Sequence, residues 1–350
     1  MQDNLFTSIF KLIPKSFRAL VTTIICFAFL NIALEKLASY FDPGYLRMRD
    51  INSKVWKKGA DFIFLGDSRA HQGLVPTEFS KTAEKYGWEI DAINLGRPGM
   101  QLPFVYFIAD KIIRNSDKKP KAIVLNLSFY LLGGEQWMKD IYFSYYRPSM
   151  RDIFTQKENP FTKLGGEEWY FRTRLPVWKL RARADTLMQS YLRNPKGAIN
   201  QVKRLNKQRE LYDFSISNGY LSRGYKSISE KDVKPAKWKI GFERGYSSFL
   251  TYFEMLIETA EANGIDIYLY RFPWPEKRKE EKEFNKVLDY YWDYLKKYNN
   301  DSIVFMDTKR FWPVEFFVDH LHLNHKGAKK LSRQLAAEIY DIRIKTIENK

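Results

Sequence analysis

Gly66-Asp67-Ser68-Arg69 follows a short apolar run, Asp61–Leu65, and about 250 residues further on comes Asp319-His320-Leu321-His322-Leu323-Asn324. A serine hydroxyl is a weak nucleophile. It needs a base to take its proton and a carboxylate to fix the tautomer of that base. Ser68, His322 and Asp319 supply these three groups in the chain order Ser…Asp…His, and the chemistry they could perform is acyl transfer. Ser68 stands where a strand is expected to turn into a helix, which would aim its side chain at solvent above a sheet. Asp319 is close enough in sequence to hold one ring nitrogen of His322 and leave the other for Ser68.

Each residue also has an ordinary explanation. Asp-Ser after a strand is common turn and helix-cap chemistry, and a single histidine is more often a surface or hydrogen-bonded side chain. His320, His322 and His325, with Asp319, raise a metal site as a rival. A catalytic zinc wants three well-placed ligands and an open position, but His71 is the one other histidine and no carboxylate cluster accompanies these. No metal and no cofactor are therefore expected.

These residues need elements to position them. Five short apolar runs read as strands: Asp61–Leu65, Ile90–Leu95, Ala122–Leu127, Ile265–Tyr270 and Ile303–Asp307. Continuous runs of this kind suit strands covered on both faces of a parallel sheet. Helical patterns separate them, at Thr77–Tyr86, Leu102–Ile113, Phe249–Ala262, Glu280–Tyr298 and His325–Tyr340. The expectation is an α/β fold with a mostly parallel five-stranded sheet. Reactive groups in such sheets collect at the carboxyl ends of the strands, where Ser68 and the loop Asn94–Gly99 fall.

The alternation breaks between about residues 133 and 240. From Arg151 to Ile240 the chain carries 20 Lys and Arg against 9 Asp and Glu, so most of the formal net charge of +17 lies in this one basic, aromatic insertion. Trp178–Leu192 reads as a basic helix within it. Both ends of the insertion feed back into the same expected sheet, so it reads as a cap or arm. Such a charge favours an acidic partner. Nucleic acid is not the expected one, because no helix-turn-helix, zinc-finger or RNP-type signature occurs. The single cysteine, Cys26, excludes an internal disulfide framework.

Ahead of the α/β pattern, residues 17–37 form an apolar segment whose uncharged stretch runs from Ala19 to Leu34. That is slightly short of the ~20 residues that cross a bilayer core, and flanking Arg18, Glu35 and Lys36 can extend it by snorkelling. An uncleaved anchor, a cleaved signal peptide and a buried core helix are the three readings. The lack of a small-residue cleavage pattern favours the anchor. Residues 1–16 would then be a cytoplasmic or interfacial N-terminus, with residues 4–17 along the membrane surface, and residues 60–345 the enzyme domain outside.

Around Ser68 and His322 the chain resembles the SGNH (GDSL-like) hydrolase superfamily. Gly66-Asp67-Ser68 is similar to its first block and Asp319-x-x-His322 to its last. Asn94-Leu95-Gly96-Arg97-Pro98-Gly99 is similar to the second, where a glycine amide joins the oxyanion hole; Gly96 is the first choice and Gly99 the second. The resemblance implies a three-layer α/β/α sandwich of flavodoxin-like type and a Ser-His-Asp triad. The third block departs from the family. Asn126-Leu127-Ser128-Phe129-Tyr130 replaces Gly-x-Asn-Asp, which leaves Asn126 or Tyr130 as the side chain near the oxyanion. Arg69 replaces an apolar residue and is read either as an exposed helix residue or as a holder of an anionic part of the substrate.

A membrane-anchored domain of this type resembles the bacterial accessory proteins of cell-surface polymer acylation, among them those of alginate and peptidoglycan O-acetylation and of D-alanine transfer to teichoic acid. The resemblance implies acyl transfer, with acetyl the preferred group, to or from an extracytoplasmic glycan or polyol. It also implies a multi-pass membrane-bound O-acyltransferase as partner and a place on the outer side of the bacterial cytoplasmic membrane, in the periplasm or beyond. A catalytically weak glycan-binding or acyltransferase-recruiting module, and an ordinary secreted esterase or lipase, are the alternatives.

Overall fold

The apolar runs become strands where expected. In the computed structural model, which describes residues 14–41, 55–127, 192–197, 199–200, 203, 217–234 and 246–348, these are β1 (Phe62–Leu65), β2 (Ala92–Asn94), β3 (Ala122–Leu127), β4 (Asp266–Arg271) and β6 (Ile303–Met306). They form one five-stranded sheet in the order β2-β1-β3-β4-β6, and every pairing in it is parallel. A second pair, β5 (Trp274–Pro275) with β7 (Phe311–Trp312), is also parallel and was not foreseen. It is too short to show any hydrophobic period.

Alternation along the strands sorts the core. Phe62, Phe64, Ala122, Val124, Tyr268, Tyr270 and Met306 belong to one buried cluster. That cluster is closed by Phe79 and Ala83 of α3 (Pro76–Glu84) and by Leu331, Leu335 and Ile339 of α7 (His325–Glu348). Ile63, Leu65, Ile123, Leu125, Ile267 and Leu269 point the other way by the two-residue period and are equally buried. Helices α4 (Leu102–Asn115) and α5 (Tyr246–Glu261) pack against each other. Helix α6 (Lys282–Leu295) precedes β6, and a 3-10 turn continues it to Tyr298.

The strand order has a consequence for the site. From β1 the chain moves to β2 on one side, then crosses to β3 on the other. The connections leaving β1 and β3 diverge, and such a switch point opens a crevice at the carboxyl ends of the strands. Ser68 directly follows β1 at this end.

Two compact units divide the chain: residues 1–46 with 143–207, and residues 47–142 with 208–350. The second holds the sheet. In the first, α1 (Lys15–Phe41) contains one window, Phe17–Leu34, with a mean hydropathy of 2.0. Among the described residues it is the one helix long and apolar enough to cross a membrane. Its Thr23 and Asn31 side chains donate to the carbonyls of Ala19 and Phe27, one turn back, which satisfies polar groups inside an apolar helix. Most of the basic insertion, Trp178–Tyr191 of the expected basic helix, and residues 4–13 of the expected interfacial segment lie outside the described residues.

Candidate functional site

Ser68 opens the six-residue helix α2 (Ser68–Gly73), and Asp67 caps it by accepting from the Arg69 N–H at 2.9 Å. Gly66 lets β1 turn into this helix. Its φ is +134°, and a Cβ there would come within 1.7 Å of Asn126 Oδ1, so no larger residue fits. Every residue from 59 to 76 is buried except Ser68, which is half-buried.

The far end of the chain supplies the imidazole. Between Phe317 and Leu323, which form an antiparallel bridge, residues 318–322 make a tight loop closed by the Val318 N–H on the His322 carbonyl. Asp319 Oδ1 accepts the N–H groups of Leu321 and His322, both at 2.8 Å, a side-chain turn that sequence spacing alone permits. The same carboxylate lies 2.9 Å from His322 Nδ1 through each oxygen. With Nδ1–H donating to Asp319, Nε2 is the acceptor, and it lies 2.9 Å from Ser68 Oγ. Burial would raise the Asp319 carboxyl, but its bonds to the His322 ring and to the two backbone N–H groups hold it well below the usual carboxylate range. Leu323 is fully buried and Leu321 half-buried, so Leu323 is the firmer anchor of the loop.

The geometry therefore brings Ser68, His322 and Asp319 together in one connected line. The other four residues singled out in the sequence stand differently. Arg69 is neither exposed nor turned toward a substrate. It is buried and donates through Nη2 to Asp67 Oδ2 at 2.5 Å, with Trp274 and Phe272 rings 5.1 and 5.8 Å from its guanidinium carbon. Burial would raise the Asp67 carboxyl, and the Arg69 charge beside it wins, holding it below its ordinary value. Asn126 is fully buried and donates through Nδ2 to Asp67 Oδ1 at 3.1 Å, so this donor supports the turn.

The Gly96 N–H is likewise engaged, by Asn94 Oδ1 at 3.0 Å. Asn94 Nδ2 in turn donates to the carbonyls of Ala70 and Leu74, both at 2.8 Å, which ties the end of β2 to α2. Arg97-Pro98-Gly99-Met100 forms a turn closed by the Met100 N–H on the Arg97 carbonyl, with Gly99 at φ +73° in the position that favours glycine. Tyr130 lies outside the described residues. Ser68's own amide, at the first position of α2, has no intrahelical acceptor.

The other histidines of the C-terminal motif separate. His325 Nδ1 lies 2.9 Å from the Tyr220 hydroxyl, and burial together with the Lys329 charge keeps its imidazole below the ordinary value. His320 is lowered by burial and by Arg278, against Asp319. Among the described residues no group of three His, Cys, Asp or Glu side chains is arranged to hold a metal ion.

One site residue was not anticipated. Arg223 Nη2 donates to Asp319 Oδ2 at 2.8 Å, across 96 residues and from the end of the insertion. Its sole sequence signal is a cation in a Ser- and Gly-rich stretch, Ser222-Arg223-Gly224, which is indistinguishable from an ordinary loop.

A model of an uncharacterised family matches residues 231–343, under half of the chain, a span that contains Asp319 and His322 but not Ser68. The chain matches no curated protein.

Proposed function

We propose that this chain is a serine-dependent acyl-transfer enzyme acting on an ester of a cell-surface glycan or polyol. The observation that carries the reading is the 2.9 Å approach of Ser68 Oγ to His322 Nε2, with Nδ1 of the same ring on Asp319. His322 takes the Ser68 proton as Oγ attacks the acyl carbonyl, and a tetrahedral oxyanion forms. His322 then gives the proton to the departing alkoxide, leaving an acyl-serine. An acceptor hydroxyl, from a sugar or from water, loses its proton to His322 and attacks the acyl-serine, and His322 returns that proton to Ser68 Oγ as it departs. Transfer and hydrolysis differ solely in that acceptor.

The sheet order 2-1-3-4-5 of its five strands and the two oppositely buried strand faces support the three-layer SGNH-type sandwich. Helix α1 supports a single-pass anchor in a bacterial cytoplasmic membrane with the enzyme unit outside. A glycan substrate and an O-acyltransferase partner rest on the resemblance and on the basic, aromatic insertion, which suits an acidic polymer. No cofactor is needed for these steps.

With Gly96 and Asn126 engaged elsewhere, the Ser68 amide is the one oxyanion donor identified among the described residues. Loss of a single donor costs on the order of 10²–10³ in rate, so slow turnover of small esters is expected. The same engagement favours a second reading, a binding or recruiting module with a weakened centre.

The full-length chain in detergent micelles, treated with a fluorophosphonate probe, should be labelled, and the Ser68→Ala variant should not. Unchanged labelling of that variant would refute Ser68 as nucleophile. Equal p-nitrophenyl acetate turnover by the wild type and by Ser68→Ala and His322→Ala would favour the binding module.

A further inference from the structure

Residues 217–228 form a strap that touches both halves of the site. At its start, the Asn218 carbonyl accepts the Asn94 N–H at the end of β2, and the Leu221 N–H donates to the His71 carbonyl of α2. Further on, the Gly224 carbonyl accepts the His325 N–H, and the Ile228 N–H donates to the Phe317 carbonyl. Asn324 Nδ2 also reaches the Lys226 carbonyl. The first pair of bonds holds the strap to the serine side and the rest hold it to the loop that carries Asp319 and His322. Arg223 lies between them.

Asp319 Oδ1 is fixed by two backbone N–H groups of its own loop. Oδ2 receives no such bond from the described residues, and its partners among them besides His322 come down to the Arg223 guanidinium at 2.8 Å. Without Arg223, Oδ2 would keep the His322 ring as its one partner among the described residues, and the carboxylate would have more freedom to rotate about its side-chain bond. The pair is partly exposed, at 38% for Arg223 and 31% for Asp319, so its effect is local geometry and charge more than global stability.

We infer that Arg223 is a positioning residue of the triad: it locks the Asp319 carboxylate edge-on to His322 and moderates the negative charge that the imidazolium feels. This inference rests on the triad reading above. The charged and titratable groups facing the imidazole are Asp319 and His320 on its own loop, Ser68 on α2 and Arg223 on the strap, with Arg278 and Lys234 beside His320. A cation on the far side of the carboxylate weakens its pull on a neighbouring imidazolium. Removing that cation strengthens the pull, so the base accepts its proton more readily and is lost to protonation at a higher pH.

The test compares the full-length wild type with Arg223→Met and Arg223→Lys in micelles. In Arg223→Met the acid limb of the kcat/KM profile for p-nitrophenyl acetate should move to higher pH, and the downfield proton resonance of the His322 Nδ1–H should shift from its wild-type position. Arg223→Lys should restore both. Loss of activity by the same factor at every pH, with the acid limb unmoved and the resonance unshifted, would overturn the inference, because that pattern belongs to a merely structural residue. So would an Arg223→Met variant identical to the wild type. The resonance does not depend on turnover. A wild type that shows it but takes no fluorophosphonate label would sink the enzyme reading while still reporting on Arg223.

Discussion

Residues 59–76 deliver Ser68 and residues 317–324 deliver Asp319 and His322, and the two regions hold their side chains by different means. Around Ser68 the backbone is immobilised by burial: an apolar strand beneath, the buried Asp67–Arg69 pair, Asn126 against Gly66, and aromatic rings over Arg69. Around His322 the loop is half-exposed, and it is held by hydrogen bonds converging on one carboxylate. A nucleophile must stay fixed against the carbonyl it attacks, whereas a base must pass protons to groups that come and go. The contrast teaches that rigidity comes from packing on one side and from a replaceable polar network on the other.

The strongest way to break the comparison is Asp319→Asn. It removes the charge that orients and stabilises the His322 imidazolium, and kcat should fall on the order of 10⁴-fold, about 5.5 kcal/mol of transition-state stabilisation. Steady-state rates on p-nitrophenyl acetate measure this, and the midpoint of denaturation should change far less. Arg69→Met should do the reverse. It leaves the buried Asp67 carboxylate without its counter-charge, which costs about 3–5 kcal/mol of stability. Chemical denaturation followed by circular dichroism measures that loss. A variant as stable as the wild type would mean that packing, not the ion pair, holds the serine turn.

The smallest effect concerns pH. Both Asp67 and Asp319 have carboxyls held below their unfolded values. Groups depressed on folding contribute stability that is fully present above the unfolded carboxylate range, about pH 4, and is lost as pH falls through their folded values. Thermal midpoints should therefore begin to fall below about pH 6.5, where the unfolded chain takes up protons that the half-buried His320 and His325 resist, and drop more steeply below about 4. In Asp319→Asn the drop should be shallower, because one contributor is gone while Asp67, Asp61 and Glu78 remain. An identical drop would show that Asp319 adds nothing to the acid sensitivity.

What could be read in the sequence was what local sequence determines. Five strands were legible because each is a continuous apolar run, and only their ends moved: Ile90–Leu95 contracts to Ala92–Asn94, where the pairing with β1 ends. Ser68 and the Asp319–His322 turn were legible because a strand end and an Asp-x-x-His spacing are short-range features. Arg69 was misread although its partner is two residues away, since the pattern Asp-Ser-Arg does not reveal that the whole stretch is buried. The bonds that Asn126 and Gly96 make within the fold were hidden for a related reason. Resemblance aligned their positions in the chain, but the bond directions depend on Asp67 and Asn94, which are particular to this packing. Arg223 needed the tertiary path of the strap, and nothing local announces it.

The separation of Ser68 from His322 by 254 residues bears on how the protein is made. At a synthesis speed of ~5–20 residues per second, roughly 13–50 s pass between the appearance of the hydroxyl and that of its base. On the proposed acyl-transfer reading, the emerging polypeptide carries an unarmed serine throughout that interval, and a chain terminated ahead of His322 is a silent product.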